Sequence, residues 1–257
     1  MKNNTSNISA LMITFNEINH IEEVIGNLSF ADEIIVIDSY STDGTFEKLS
    51  EMSNVKVLLR EFKNFADQRN YALEQANCEW IFFIDADERL TQDSQKELVE
   101  TTKHPNGIEA FKIPRKFMFN NKVMRFSGLQ TDRVFRLFKK GVTKYREDKL
   151  VHELLDFHGE FKILKHDMLH YSFSDYESYK RKTEHYGLLK AQELLRNGKR
   201  PNWIHFYIKP AYKFLANYVF RLGILDGKEG YTICKLNAYG VFYRYKALNN
   251  LLRTSPE

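Results

Sequence analysis

The sequence predicts a doubly wound α/β fold with a mostly parallel, Rossmann-like sheet, followed by a C-terminal helical region. Short apolar, β-branched runs alternate with stretches of helical spacing through the first hundred residues, as in sheets covered by helices on both faces. Polar residues follow the predicted strands where each run ends, which is the edge where such sheets bind ligands. With 257 residues, 43% of them hydrophobic, the chain is long enough to bury a sizeable core.

The elements of the predicted sheet follow in order. Strands are predicted over 8–14, 33–37, 55–59 and 80–84, where β-branched and aromatic residues concentrate. Helices are predicted over 19–28, 45–52, 65–75 and 92–101, where apolar residues recur at helical spacing. Further strands are predicted over 110–119, 123–126, 134–138 and 161–164. We expect this middle section to extend the sheet and cover the crevice.

The last third of the chain changes to a helical pattern. Ser174 is placed to cap a helix that Asp175 and Glu177 would favour in its first turn, and Gly198 would end it. Two more helices are predicted over 203–225 and 231–252, both rich in aromatic and basic residues. We therefore divide the chain into residues 1–173 and residues 174–257.

Charge is unevenly distributed between these two parts. Residues 1–179 hold 23 Lys and Arg against 29 Asp and Glu, whereas the remainder holds 15 against 5. A basic, aromatic-rich region indicates an anionic partner, either a membrane surface or a nucleic acid. We find no nucleic-acid recognition motif and expect no such partner.

Compartment follows from the cysteines and from apolar run lengths. Cys78 and Cys234 match no pairing motif, and no stretch has the length of a secretory segment or of a membrane-spanning helix. We expect reduced thiols and a cytoplasmic protein.

The acidic triplet Asp85-Ala86-Asp87 is the strongest chemical signal. In an extended strand end its two carboxylates lie on the same side, where they could share a hard divalent ion with a phosphate. The alternative is that Asp87 caps the following helix, because D-x-D is a common pattern. The other strand ends strengthen the metal interpretation, since Thr14, Asn16 and Glu17 follow the first strand and further acidic residues follow the second.

Four motifs in series resemble family 2 glycosyltransferases with the GT-A fold: ISALMITFNE, IIVIDSYSTDGT, FADQRNYAL and FFIDADERL. The later segments TDRVFRLF, LVHELL and LHYSF are similar to the subgroup of lipopolysaccharide core glucosyltransferases. The resemblance implies inverting transfer of a hexose, glucose in that subgroup, from a UDP-sugar to a lipid-linked or glycan acceptor. It also implies that residues 1–103 form the nucleotide-sugar half of the catalytic domain and residues 104–173 the acceptor half.

The resemblance also assigns roles to individual residues. It implies that the donor nucleotide is bordered by Thr14, Asn16, Glu17, Asp38, Ser41, Thr42 and Asp43, and that Arg69 approaches the donor. Arg133 and Arg136 are candidates to steady the diphosphate or an anionic acceptor. It implies a Mg²⁺ or Mn²⁺ site formed by Asp85, Asp87 and His170. The alternatives are a turn-forming Asp38, a solvated Arg69, a structural ion pair for Arg136 and a core histidine at 170.

An inverting transfer needs a carboxylate that takes the proton of the acceptor hydroxyl. The resemblance places this base at Glu153, within Val151-His152-Glu153, with Asp132 as the reserve. The alternative for His152-Glu153 is an ordinary surface pair.

The basic C-terminal region has two interpretations. It would contact an anionic membrane peripherally, at the inner face of the cell membrane, or its helices would pack on the catalytic domain or form a homo-oligomer. Two other functions compete with glycosyl transfer, a metal-dependent nucleotidyltransferase and a nucleic-acid-binding protein. The first normally carries a Gly-rich phosphate loop after strand one, where this chain has Thr-Phe-Asn-Glu.

Overall fold

The computed structural model describes residues 6–130, 132–146, 155, 157–173 and 175–254. Its strands are β1 (Ile8–Thr14), β2 (Glu33–Asp38), β3 (Lys56–Leu59), β4 (Trp80–Phe83), β5 (Glu88–Leu90), β6 (Ala110–Phe119), β7 (Lys122–Met124), β8 (Arg133–Lys139), β9 (Phe161–Ile163) and β10 (Met168–Phe173). Its α-helices are α1 (Ile18–Asn27), α2 (Thr45–Ser50), α3 (Phe65–Gln75), α4 (Gln92–Lys103), α5 (Tyr176–Arg196), α6 (Lys209–Leu215) and α7 (Gly227–Thr254).

The chain divides into two compact units. The first comprises the residues up to Arg115 together with Asp132–His170, and the second comprises Lys116–Thr131 and Tyr171–Glu257. Residues 116–131, which the sequence grouped with the sheet, thus belong with the helical unit.

The first unit confirms the α/β class. Strands β3, β2, β1 and β4 lie side by side in this order and run parallel. Beyond β4, strand β8 pairs antiparallel to it and β6 pairs antiparallel to β8. Because β1, β2 and β4 run parallel, their carboxyl ends lie at one edge of the sheet, and this is the edge where the crevice was predicted.

Alternation along β1 divides the core into two layers. Ile8, Ala10 and Met12 pack in one apolar cluster with residues of α1 and α4, and Leu11 packs in a second cluster with α3. Both clusters are buried because successive side chains of a strand point to opposite faces. This explains why the strand reads as a continuous apolar run.

Strands β5 and β10 were not predicted from the sequence. Strand β5 pairs antiparallel with β10, so that His170 lies opposite Glu88 and Met168 opposite Leu90. Three residues carry too little periodicity to identify β5 from sequence, and its partner lies about eighty residues away along the chain. This pairing brings the histidine of β10 beside the acidic triplet.

The second unit is helical, and its middle helix differs from the prediction over 203–225. Only α6 is regular, with π-helical turns at Ile204–Ile208 and Ala216–Phe220 and a 3₁₀ turn at Gly223–Asp226. Pro210 lacks the N–H that would donate to Phe206, which interrupts the α-helical ladder.

The predicted cap of α5 shifts by one residue. Asp175 is the N-cap and forms a capping box with Ser178, whereas Ser174 lies outside the described residues. No helix among the described residues is both long and apolar enough to cross a bilayer.

Candidate active site

Two loops at the carboxyl ends of β1 and β2 are locked together by hydrogen bonds. The Asp38 carboxylate is fully buried and accepts from the Ser41 N–H at 2.8 Å and the Ser41 hydroxyl at 2.6 Å. The Ser41 hydroxyl in turn accepts from the Asn16 N–H at 2.8 Å, and the Asn16 side-chain oxygen accepts from the Thr42 N–H at 2.8 Å. Asp38 thus stabilises the loop after β2 from within the protein interior, and its oxygens are not exposed.

Asp43 joins the same two loops from the exposed side. Its carboxylate accepts from the Ile18 N–H at 3.1 Å, at the start of α1, and from the Thr45 hydroxyl at 2.6 Å. Helix α1 has no side-chain cap of its own, so Asp43 satisfies one of its first donors. Desolvation would raise the pKa of Asp43, but the hydrogen bonds from the Thr45 hydroxyl and the Ile18 and Thr45 N–H groups outweigh it and lower the pKa.

The loops present two aromatic side chains that the sequence did not single out. Phe15 and Tyr40 are each 56% exposed. Tyr40 and Asn16 have positive φ angles, of 62° and 57°. The Thr14 hydroxyl is buried and has no hydrogen-bond partner among the described residues. These two residues could have been found from the sequence, because each is the one aromatic residue in a polar stretch directly after a strand.

Asp85 lies between two arginines. Arg69 of α3 donates to one carboxylate oxygen at 2.9 Å, and Arg136 of β8 donates to the other. Burial would raise the pKa of Asp85, but the positive charges of Arg136 and Arg69 outweigh it and hold the pKa well below its usual value. Both oxygens of Asp85 therefore bind guanidinium groups in this structure.

Glu88 extends this ion pair into a network. Its side chain is fully buried and receives Arg136 at 2.6 Å and Arg115 at 3.0 Å, while its second oxygen accepts from the Asp85 N–H at 3.0 Å. Arg115 in turn binds Asp132 at 2.8 Å. Three arginines and three carboxylates alternate in the order Arg69, Asp85, Arg136, Glu88, Arg115, Asp132; we call them the ion-pair network.

The network shows the surroundings of several predicted site residues. Arg136 forms the structural ion pairs that the sequence left open, and Arg69 is a buried member rather than a solvated side chain. Asp132, the reserve base, is held by the Nε and Nη2 atoms of Arg115. Both contacts are made to the Oδ2 atom of Asp132, whose side chain is 42% exposed.

Asp87 approaches His170 of β10. The Asp87 Oδ2 and His170 Nε2 atoms are 3.3 Å apart, and the two side chains are 28% and 16% exposed. A carboxylate oxygen is a ligand that Mn²⁺ and Mg²⁺ prefer, whereas an imidazole nitrogen is more typical of Zn²⁺ or Fe sites, and in this structure the two groups contact each other. No group of three or more His, Cys, Asp or Glu side chains that could hold a metal ion occurs within the described parts of the chain.

The acidic turn between β4 and β5 is fixed by Arg89, which the sequence analysis missed. Its guanidinium donates to the carbonyls of Ala86 at 2.6 Å and Glu88 at 2.7 Å, and to Glu23 of α1 at 3.1 Å. Arg89 therefore ties the turn to α1 as well as to its own backbone.

Asn70 fixes the chain on the other side of the site. Its side-chain amide donates to the Tyr145 carbonyl at 3.0 Å and accepts from the Tyr145 N–H at 2.9 Å. Arg69 lies over the Tyr145 ring, with its Cζ atom 5.3 Å from the ring centroid. The predicted base, Glu153, lies outside the described residues, as do His152 and Val151.

Comparison with known proteins gives a family match. The model of the family described as Glycosyl transferase family 2 matches residues 9–173, a span that includes all of the site residues above.

Individual relatives extend over most of the chain. An uncharacterized glycosyltransferase of Rickettsia bellii is 28% identical over 268 residues, covering 98% of this chain and 90% of its own. The lipopolysaccharide core biosynthesis glycosyltransferase LpsC of Rhizobium meliloti is 28% identical over 250 residues and 93% of each chain is covered. Among solved structures, TarS residues 1–349 from S. aureus in complex with UDP-GlcNAc is 16% identical with a TM-score of 0.46, covering 96% of this chain and 91% of that one.

Proposed function

The chain belongs to glycosyl transferase family 2, and we propose that it transfers a hexose, glucose in the first instance, from a UDP-sugar to a cell-surface glycan precursor with inversion and with the help of a divalent ion. The observation that carries this proposal is the Asp87–His170 pair, which stands 3.3 Å apart at the carboxyl end of β4 beside a charge-balanced ion-pair network. The acceptor class rests on the relative whose name assigns it to lipopolysaccharide core biosynthesis.

The donor would be held from two directions. Asp87 and His170 would hold a Mn²⁺ or Mg²⁺ ion, which when bound supplies charge stabilisation for the diphosphate leaving group. We place Asp85 in the ion-pair network rather than at the ion, because both its oxygens already accept from guanidinium groups. The exposed rings of Phe15 and Tyr40 offer stacking surfaces for the uracil base.

The predicted nucleotide-binding residues divide accordingly into two roles. Asp38, Ser41, Asn16 and Asp43 hold the two loops in one conformation through their mutual hydrogen bonds. Because the loop backbone is fixed before the donor arrives, less conformational freedom is lost on binding. Glu17 borders the same loops, with its N–H donating to the Thr45 hydroxyl at 2.9 Å.

The transfer itself would be a single displacement. The acceptor hydroxyl oxygen forms the new bond to the anomeric carbon on one face, and the bond from that carbon to the UDP oxygen breaks on the other. The hydroxyl proton passes to the carboxylate of Glu153, and UDP leaves with the bonding electron pair. Asp132 is the reserve base, and Arg115 contacts its Oδ2 atom.

A donor-binding experiment tests this proposal. UDP-glucose, UDP-galactose, UDP-GlcNAc and GDP-mannose would be titrated into the protein with Mn²⁺, with Mg²⁺ and with a chelator, and binding measured by calorimetry. We expect UDP-sugars to bind with a divalent ion, and Asp87→Asn or His170→Gln to weaken that binding roughly tenfold or more.

Matched controls come from the same chain. Asp93→Asn and His166→Gln change an exposed aspartate and an exposed histidine away from the site, and both should bind as the wild type does. Equal UDP binding in the chelator, or unchanged metal-dependent binding in both site variants, would refute the metal assignment.

A further inference from the structure

The helical unit displays an unusual concentration of large apolar side chains on its surface between Trp203 and Leu225. We call these side chains the aromatic face. They are Trp203, Ile204, Tyr207, Ile208, Tyr212, Leu215, Val219, Phe220, Leu222, Ile224 and Leu225, and their exposed fractions range from 39% to 76%. Isolated exposed apolar residues are common, but a contiguous run of this length is not.

The spacing shows that this exposure is a property of one side of the segment. Trp203, Tyr207, Leu215 and Val219 recur at multiples of four residues, a spacing that keeps side chains on one side through both α-helical and π-helical turns. The opposite side supplies the packing against α7, where the Phe206 and Phe242 ring centroids are 6.1 Å apart. The helical unit therefore has its core contacts without using the aromatic face.

Charge around the aromatic face has a single sign. Residues 199–225 contain five Lys or Arg and no Asp or Glu. The first carboxylate beyond the segment, Asp226, is 3% exposed and accepts from the N–H groups of Arg125 and Phe126 and from the Ser127 hydroxyl. The next, Glu229, pairs with Lys122 at 3.1 Å. The surface charge beside the aromatic face is thus positive.

We infer that the aromatic face lies on an anionic phospholipid bilayer, with its Trp and Tyr rings at the headgroup level and the exposed Lys199 and Arg200 beside them among the lipid phosphates. Amphipathic rings and basic side chains around an aliphatic strip are the combination that interfacial helices use. A second copy of the chain fits less well, because pairing two such faces would bring like charges together without carboxylates to balance them. This contact goes beyond the proposed transfer reaction and does not depend on its metal site.

The two tryptophans make the contact directly measurable. Trp80 is buried, and Trp203 is 65% exposed on the aromatic face. Adding vesicles of phosphatidylcholine and phosphatidylglycerol to the full chain should shift the tryptophan emission to shorter wavelength, because only Trp203 moves from water into a less polar environment. Vesicles of phosphatidylcholine alone should produce a smaller shift, and the protein should sediment with the anionic vesicles.

Variants locate the contact. Replacing Tyr207, Tyr212 and Phe220 by serine together should weaken sedimentation with anionic vesicles about tenfold or more, since bilayer binding scales with the apolar area inserted. Tyr176→Ser combined with Tyr186→Ser removes two exposed tyrosines from α5 and should have no such effect. Lys199→Gln with Arg200→Gln should reduce binding and its dependence on salt.

The outcomes separate this inference from the proposed function. Asp87→Asn should bind vesicles like the wild type, and the triple serine variant should still bind UDP with Mn²⁺. The inference is overturned if the full chain ignores anionic vesicles, if the triple variant binds them as tightly as the wild type, or if the protein is a dimer that the triple variant disperses without any vesicle binding.

Discussion

Replacing Glu88 by Gln tests whether the ion-pair network is structural. The substitution keeps the volume of the side chain and removes one of three negative charges that balance three arginines. Glu88 is fully buried, and its oxygens accept from Arg115, Arg136 and the Asp85 N–H. In either orientation the NH₂ group of Gln replaces an oxygen that accepted a hydrogen bond, either from Arg115 and Arg136 or from the Asp85 N–H.

The expected cost follows from this geometry. Breaking a buried ion pair by removing one partner typically costs about 3–5 kcal/mol. In the variant Arg136 still pairs with Asp85, and Arg115 still pairs with Asp132. We therefore expect a cost near the lower end, about 3 kcal/mol. For a chain of this size that corresponds to a fall in melting temperature of roughly 6–12 °C. Asp87→Asn, one residue earlier, should cost about 1 kcal/mol or less, because the Asp87 side chain is 28% exposed whereas that of Glu88 is fully buried.

Urea unfolding would measure both variants. Trp80 lies in β4 of the sheet unit, so its fluorescence reports this unit selectively once Trp203 is replaced by Phe. Circular dichroism on the same samples follows the helices. If Glu88→Gln unfolds within 1 kcal/mol of the parent, the network does not stabilise the sheet unit as argued. If Asp87→Asn is destabilised as strongly as Glu88→Gln, Asp87 belongs to the structural network and not to an ion site.

Three other predictions concern neighbouring groups. Ser41→Ala removes a hydroxyl that donates to the buried Asp38 carboxylate, so we expect a loss of about 2 kcal/mol in urea unfolding together with weaker UDP binding, and an unchanged midpoint would contradict the loop assignment. Glu153→Gln should keep UDP binding and lower transfer about 10²-fold, whereas Asp132→Asn should keep most of it; the reverse ranking in a transfer assay would make Asp132 the base. Because the pKa of Asp85 is lowered in the folded state, its contribution to stability is present above about pH 4 and is lost as the pH falls further toward that lowered pKa. Asp85→Asn should therefore flatten the loss of unfolding free energy between neutral and acidic pH, and an equally steep loss in the variant would refute this cause.

The sequence by itself determined the positions of the helices and strands whose signals are local. The predicted bounds of β1, α3 and β6 agree with the structure, because the apolar and polar pattern that defines each of them lies within the element itself. Apart from the short β5, the order of strands and helices in the first hundred residues, and with it the edge where the site lies, followed from the same signals. The membership in glycosyl transferase family 2 was likewise readable from the motifs at the ends of the strands.

Pairings between distant residues needed the tertiary structure. The sequence grouped Asp85 with Asp87 because they are adjacent, but the fold brings Arg136, 51 positions away, to Asp85 and brings His170 to Asp87. It likewise turned Asn16, Ser41 and Asp43 from separate ligand candidates into one locked pair of loops. The physical reason is that a carboxylate's role depends on which charges and donors reach it in space, and spacing along the chain does not encode those distances.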